Sequence, residues 1–194
     1  MRLIITRHGQ TTDNSKKIIQ GSLPGQLSEH GKKQATILGR RLSKYRIDII
    51  FSSDLKRSSD TAKIIKKSVD SDLVYTKSLR EIHMGDYEGK SRPWNNYEEM
   101  GGFISKNKMN GESVEDLYKR AKEFIEFLIQ NYPKKTVLLV GHTAINQALI
   151  SAIGNQGLKG IFEQEKQNNT AVNVFEMTSG KVEVKARNCT KHLS

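Results

Sequence analysis

Hydrophobic period switches repeatedly along this chain. Short apolar runs suited to buried strands alternate with longer stretches whose apolar residues recur at helical spacing. Leu3-Ile4-Ile5-Thr6 reads as a buried strand. Ser28 stands where an N-cap is expected, and Ala35, Leu38, Gly39 and Leu42 after it mark one face of a helix reaching about Ser43. Ile47 to Phe51 reads as a strand, Leu55 to Lys67 as a helix carrying Ala62, Ile64 and Ile65, and Leu73 to Thr76 as a third strand. Ser113-Val114-Glu115-Asp116 resembles a capping box with Asp in the acidic place. It opens a helix striped by Leu117, Ala121, Phe124 and Leu128. Thr136 to Val140 is a strongly apolar strand, and Ala144 to Ile153 a helix with Ile145, Ala148, Leu149 and Ala152 inward. Val172 to Met177 and Val182 to Ala186 flank Ser179-Gly180 and read as a hairpin. Strands alternating with helices predict an α/β layer fold with a mainly parallel sheet.

From Leu79 to Gly111 the pattern weakens, with Gly85, Gly89, Gly101, Gly102, Gly111 and Pro93 breaking it. So long an irregular excursion is usually functional. No repeat, linker or low-complexity tract divides the 194 residues, so residues 1–194 are expected to form one domain. No apolar run approaches the roughly 18–20 residues that cross a bilayer, and no membrane partner is expected. The start of the chain lacks a signal-peptide layout. The single thiol, Cys189, forms neither an internal disulfide nor a Cys-based zinc site. A cytoplasmic location is therefore expected, and the Asn168 and Asn188 glycosylation-like triplets are read as chance.

Ligands of such sheets sit beyond the carboxyl ends of the strands. The first strand runs into Arg7-His8-Gly9, the second into Ser52-Ser53-Asp54-Leu55-Lys56-Arg57, and the strand from Thr136 into Gly141-His142-Thr143, while Glu81 follows the third. Taken singly, each residue has an ordinary explanation: a turn histidine, a solvated arginine, a surface carboxylate. Delivered together to one rim, they form a candidate pocket. Two imidazoles suit zinc or iron, but arginines beside them repel a cation, and Cys189 and His192 have no partners at zinc spacing. No metal is expected. An anion fits better, since guanidinium forks match phosphate oxygens and βα turns add backbone N–H groups. A neutral imidazole can act as nucleophile. Arg7 and Arg57 would disfavour protonation of His8, and Glu81 could supply a proton to the leaving alkoxide.

At these residues the sequence resembles the histidine phosphatase, or phosphoglycerate mutase-like, superfamily. The blocks carrying the resemblance occur in order: Leu3 to Asn14, Leu27 to Ala35, Ser52 to Ala62, Leu79 to Gly89, Gly111-Glu112-Ser113 and Val140 to Thr143. The resemblance implies a three-layer α/β/α sandwich and catalysis without metal or organic cofactor. It implies that His8 becomes a phosphohistidine, that Arg7, Arg57 and His142 clamp the phosphate, and that Glu81 is the proton donor. Asn14 would neighbour the phosphate pocket, with Gln20, Gly21 and Thr143 near substrate. Gln10, Asp13, Pro24-Gly25-Gln26-Leu27 and Thr143 depart from the commonest family pattern.

The expected activity is hydrolysis of small phosphomonoesters, sugar phosphates such as fructose bisphosphates among them. A phosphoglycerate mutase is the alternative. Only 112 − 81 − 1 = 30 residues separate Glu81 from Glu112, which leaves less chain for a lid and favours the phosphatase. A nucleic-acid-binding module is motivated by the charge, 32 − 21 = +11. Its basic residues are scattered pairs with neither a dense stripe nor a recognised motif, so no specific nucleic acid is expected. The expected partner is a small phosphorylated substrate. The oligomeric state is left open, a homodimer being one candidate.

Overall fold

The computed structural model describes residues 1–93, 99, 110–178 and 180–194. Gly101, Gly102 and Ser179, named above, lie outside the described residues. In chain order the elements are β1 (Arg2–Arg7), α1 (Thr12–Ser15), α2 (Glu29–Leu42), β2 (Ile49–Ser53), α3 (Lys56–Lys66), β3 (Asp72–Thr76), α4 (Val114–Asn131), β4 (Thr136–Gly141), α5 (Thr143–Ile153), α6 (Gly157–Glu163), β5 (Val172–Thr178) and β6 (Lys181–Cys189). Short 3₁₀ turns occupy Lys77–Leu79 and Gly85–Tyr87.

The sheet has six strands in the order β3-β2-β4-β1-β5-β6. β3, β2, β4 and β1 pair in parallel, whereas β5 runs antiparallel to β1 and to β6. The α/β reading therefore holds, with an antiparallel hairpin added at one edge. The chain leaves β1 and returns two places away as β2, and β4 later fills the gap. The carboxyl ends of β1, β2 and β4 thus lie side by side, at the place where such sheets bind ligands.

Alternation along the central strands explains the layers. Leu3 and Ile5 of β1, Phe51 of β2 and Val137 and Leu139 of β4 face one cluster, with α4 and α5 supplying Leu117, Phe124, Leu128, Ile145 and Leu149. Ile4, Ile50, Leu138 and Val140 face the other, against Leu38 and Leu42 of α2 and Ala62 and Ile65 of α3. Both faces of these strands are covered, which is why they read as continuous apolar runs rather than alternating ones. Phe51 packs edge-on against Phe124 and Tyr132, with ring centroids 5.6 and 5.5 Å away.

Capping fixes where the helices start. Ser28 Oγ accepts the Gly31 N–H at 3.0 Å, and Ser113 Oγ accepts that of Asp116 at 3.0 Å, satisfying donors a helix start leaves free. Sequence and structure differ at β2, which begins at Ile49 and continues through Ser52 and Ser53. Ile47 is buried but belongs to the core under α2 and α3, not to a strand. The polar serines stay in the ladder because their hydroxyls are satisfied internally: Ser52 Oγ donates to the Ser53 carbonyl at 2.9 Å. The short helices α1 and α6 carry no apolar stripe long enough to read from sequence. Among the described residues, no helix is long and apolar enough to cross a membrane.

Leu128 of α4 is fully buried in the larger cluster. Leu128→Ala should lower stability by about 2–5 kcal/mol, read from the urea unfolding midpoint. A loss below about 1 kcal/mol would show that α4 does not close that layer.

Candidate active site

Arg57, in the first turn of α3, organises the site. It is 1% exposed, and its guanidinium is gripped by backbone. Nη2 donates to the Gly21 carbonyl at 2.7 Å, and Nη1 donates to the carbonyls of Leu23 and Pro24. The Arg57 main-chain N–H donates to the Pro24 carbonyl at 3.1 Å, so the same loop holds both ends of the residue. The remaining direction, Nε–H, points at two imidazoles, His8 Nε2 at 3.3 Å and His142 Nδ1 at 3.1 Å.

This arrangement assigns the tautomers. His8 Nδ1 lies 2.7 Å from the Gly9 carbonyl, an acceptor only, so Nδ1 carries the proton and Nε2 is the unprotonated nitrogen that faces Arg57. His142 accepts at Nδ1, so its proton sits on Nε2, a buried atom with no hydrogen-bond partner. The two rings lie 5.0 Å apart, edge to face. His8 is held at the mouth of β1 by its N–H to the Gly141 carbonyl of β4 at 3.0 Å, and His142 is the N-cap residue of α5.

Burial is the largest influence on both histidines. It pushes each well below its usual value of 6.5, and Arg57 and Arg7 push the same way. The expected effect of the arginines is therefore present, but desolvation exceeds it. The guanidiniums themselves are lowered by burial, Arg57 to about 10 and Arg7 to about 10. Both stay charged at neutral pH. Arg7 Nη1 donates to the Gln167 carbonyl at 2.8 Å, while its buried Nε has no partner. Two donors, Arg7 Nε and His142 Nε2, thus lie buried and uncommitted, while His8 Nε2 accepts from Arg57 Nε.

Glu81 sits across the N-terminus of α5. Its Oε1 accepts the N–H groups of Ala144 and Ile145 at 2.9 and 3.3 Å, and its Oε2 accepts that of Thr143 at 3.0 Å. An acidic group at a helix N-terminus is favoured by the orphan N–H donors and the helix dipole. The negative charge opposes the desolvation of both Arg7 and Arg57. Glu81 also borders an open cleft of about 340 Å³ lined by Ser22, Lys77, Arg80, His83, Glu112 and Arg120. Arg80 reaches Asp54 through two bonds, and Arg120 reaches Glu112 likewise.

The remaining expected residues are supports close to the site. Asn14 Oδ1 accepts the Thr11 N–H at 3.2 Å within the α1 cap. Gln20 Nε2 donates to Thr11 Oγ1 at 2.9 Å, Gly21 offers its carbonyl to Arg57, and Thr143 its N–H to Glu81. Gly21 has φ +47°, and a Cβ there would meet Glu88 Oε1 at 2.1 Å. Glu88 accepts the Ser22 N–H at 2.7 Å and the Met84 N–H at 3.0 Å, tying the arginine-holding loop to the chain after Glu81. Sequence reasoning missed Glu88, Asn169 and Thr61. Asn169 Nδ2 donates to the His8 carbonyl at 2.9 Å, and Thr61 Oγ1 accepts the Gly9 N–H at 3.1 Å. The signal for Asn169 was topological: an antiparallel strand brings its beginning to the rim where parallel strands end, so the residues preceding β5 belong to the site. Among the described residues, no three His, Cys, Asp or Glu side chains converge as a metal site.

A doubly wound sheet that ends in two neutral imidazoles, two buried guanidiniums and a carboxylate defines an enzyme that handles phosphate. The sequence profile of the histidine phosphatase superfamily (branch 1) matches residues 3–190. The chain belongs to that superfamily. It is 32% identical to phosphoglycerate mutase-like protein 4 of Arabidopsis thaliana, over 92% of this chain and 80% of that one. It is 30% identical to the metal-independent phosphoserine phosphatase of the same plant, over 99% and 83%. Among solved structures, YhfR of Bacillus stearothermophilus superposes with a TM-score of 0.88 at 27% identity, covering 100% of this chain and 99% of that one.

The histidine environments have a consequence for stability. Above about pH 6.5 the imidazoles are neutral in folded and unfolded chains alike; below it the unfolded chain binds protons that the folded state refuses, so stability falls with pH. Urea midpoints compared at about pH 7.5 and about pH 5.5 should fall less in the His8→Ala/His142→Ala variant than in the wild type. Equal falls would show that folding leaves these rings unperturbed.

Proposed function

We propose that the protein hydrolyses small phosphomonoesters through a phosphohistidine on His8, without metal. The observation that carries this reading is the lone pair at His8 Nε2, facing a cup of donors from Arg57, Arg7 and His142. His8 Nε2 attacks phosphorus, the P–O bond to the leaving group breaks, and the departing alkoxide takes the proton of Glu81, which enters this step as the neutral acid and leaves it as the carboxylate. Glu81 Oε2 has one N–H partner where Oε1 has three, so Oε2 is the oxygen assigned to carry that proton. Water then attacks phosphorus and gives its proton to Glu81. The P–N bond breaks, releasing inorganic phosphate and restoring the neutral imidazole. Arg7, Arg57 and His142 Nε2–H stabilise the charge on the transferring oxygens. Gly21 holds Arg57 and Thr143 holds Glu81 through main-chain atoms, while Asn14 and Gln20 brace Thr11.

Metal independence agrees with the name carried by the 30%-identical plant phosphoserine phosphatase. The short connection between Glu81 and Glu112 favours hydrolysis over mutase chemistry, and comparing phosphate release with phosphoglycerate isomerisation under one set of conditions separates them. A cytoplasmic setting agrees with a single thiol, Cys189, free of any disulfide.

Brief exposure to labelled substrate and an alkaline quench should leave acid-labile label on wild-type protein. His8→Ala should carry none and should lose more than about a thousandfold in kcat. Turnover without label, or label retained in His8→Ala, would reject His8 as nucleophile. Glu81→Gln should slow alkyl phosphates by about 10²–10⁴ yet slow p-nitrophenyl phosphate much less, because that leaving group needs no proton. Equal losses would remove Glu81 from the proton-donor role.

A further inference from the structure

We propose that Gln34, Thr61 and Asn169 are positioning residues for the nucleophile: by holding the two peptide units that follow the His8 Cα, they keep the Gly9 carbonyl at His8 Nδ1 and so aim the unprotonated Nε2 at the transferring group. The inference rests on the reading of His8 as nucleophile and goes beyond it, to what sets that ring in place.

Two bonds orient the His8 ring, and they are unequal. Nε2 receives, at 3.3 Å, an N–H that Arg57 shares with His142, whereas Nδ1 lies 2.7 Å from the Gly9 carbonyl. The shorter bond is the stronger hold. It also decides which ring nitrogen keeps the proton. Burial, Arg57 and Arg7 lower the His8 pKa and the bond to the Gly9 carbonyl raises it, so the same carbonyl sustains the basicity of the ring.

The side chain at residue 9 cannot fix that carbonyl. A Cβ there would meet the Gly31 carbonyl oxygen at 2.4 Å, so the position takes glycine, whose backbone turns most freely. Restraint comes from three side chains on separate segments. Gln34 of α2, 8% exposed, accepts the Gln10 N–H at 3.0 Å through Oε1. That N–H and the Gly9 carbonyl are opposite ends of one planar trans unit, so holding one aims the other. The preceding unit is held at both ends. Its N–H, that of Gly9, donates to Thr61 Oγ1 of α3 at 3.1 Å, and its carbonyl, that of His8, accepts from Asn169 Nδ2 at 2.9 Å. Thr61 gives its own hydroxyl proton to the Arg57 carbonyl at 2.7 Å, so its oxygen accepts from Gly9 and links the nucleophile to the helix that carries Arg57.

The turn that delivers Asn169 is strained. Thr170, β-branched and fully buried, has φ +57°, a region such residues rarely enter. Its N–H donates to the Arg7 carbonyl at 3.0 Å and its hydroxyl to the Asn169 carbonyl at 2.7 Å. Backbone strain persists where the surroundings over-determine it, and it clusters at functional sites. Here it brings Asn169 against the residue that attacks.

Nitrogen-15 NMR of the resting protein reads the tautomer of each of the five histidines, with His8 assigned by the loss of its signals in His8→Ala. No turnover is involved, so this readout is independent of the phosphohistidine labelling that judges the nucleophile. The wild type should show His8 as the Nδ1–H form alone. Gln34→Met, Thr61→Val and Asn169→Ala each remove the hydrogen-bonding atoms. Each should admit the Nε2–H form and should lower kcat for p-nitrophenyl phosphate about 10–100-fold while KM stays within about threefold. Thr61→Ser, which keeps the hydroxyl, should restore both readouts. A merely structural role would lower the unfolding midpoint and leave the His8 spectrum of the folded protein as in the wild type. An unchanged His8 spectrum in any folded variant of the three, a changed spectrum with kcat unaffected, or no rescue by Thr61→Ser overturns the proposal.

Discussion

A single N–H, that of Arg57 Nε, is shared between His8 and His142. An N–H has no proton-accepting capacity, so it forces both facing nitrogens to be bare. His8 is left unprotonated at Nε2, and His142 at Nδ1, which puts the His142 proton on the far edge of its ring. The guanidinium can do this only because Gly21, Leu23 and Pro24 hold its other nitrogens in place. A cation so deeply buried would otherwise lose solvation it could not recover. Polar backbone supplies part of the compensation and the charge of Glu81 another part.

The fold brings these parts together by topology. Returning two places from β1, the chain leaves room for β4, so His8, His142 and Arg57 arrive from neighbouring strand ends although they are far apart in sequence. Glu81 reaches the same rim by capping α5, the helix that begins directly after His142. Glu81 and His142 are therefore placed by one helix start. A shift of that start would move both.

Much of this could be read from residues alone. Buried strands announced themselves as apolar runs, and Ser28 and Ser113 marked helix starts, because those signals are local. His8, Arg57, Glu81 and His142 stood at predicted strand ends, and the structure gathers them. What escaped was what depends on distant partners. Ser52 and Ser53 looked too polar for a buried strand, since their internal hydroxyl bonds cannot be seen in a sequence. Ile47 looked like strand because burial and strand share the same residue types. Glu88 and Asn169 act through main-chain atoms of residues 66 and 161 positions away, and no spacing rule reaches so far. The dominance of burial over the arginines in setting the histidines also needed three dimensions.

The loop that holds Arg57 has a further implication. What it presents to the guanidinium is main-chain oxygen, which every amino acid possesses. Gly21 and Gly25 are fixed by positive φ and by close neighbours, but Ser22 and Leu23 contribute nothing to the grip that another side chain could not. The Pro24-Gly25-Gln26 stretch departs from the commonest family wording there, and the carbonyls still arrive where they are needed. Substitution at Ser22 or Leu23 would therefore leave the grip on Arg57 intact while remaining free to reshape the neighbouring surface.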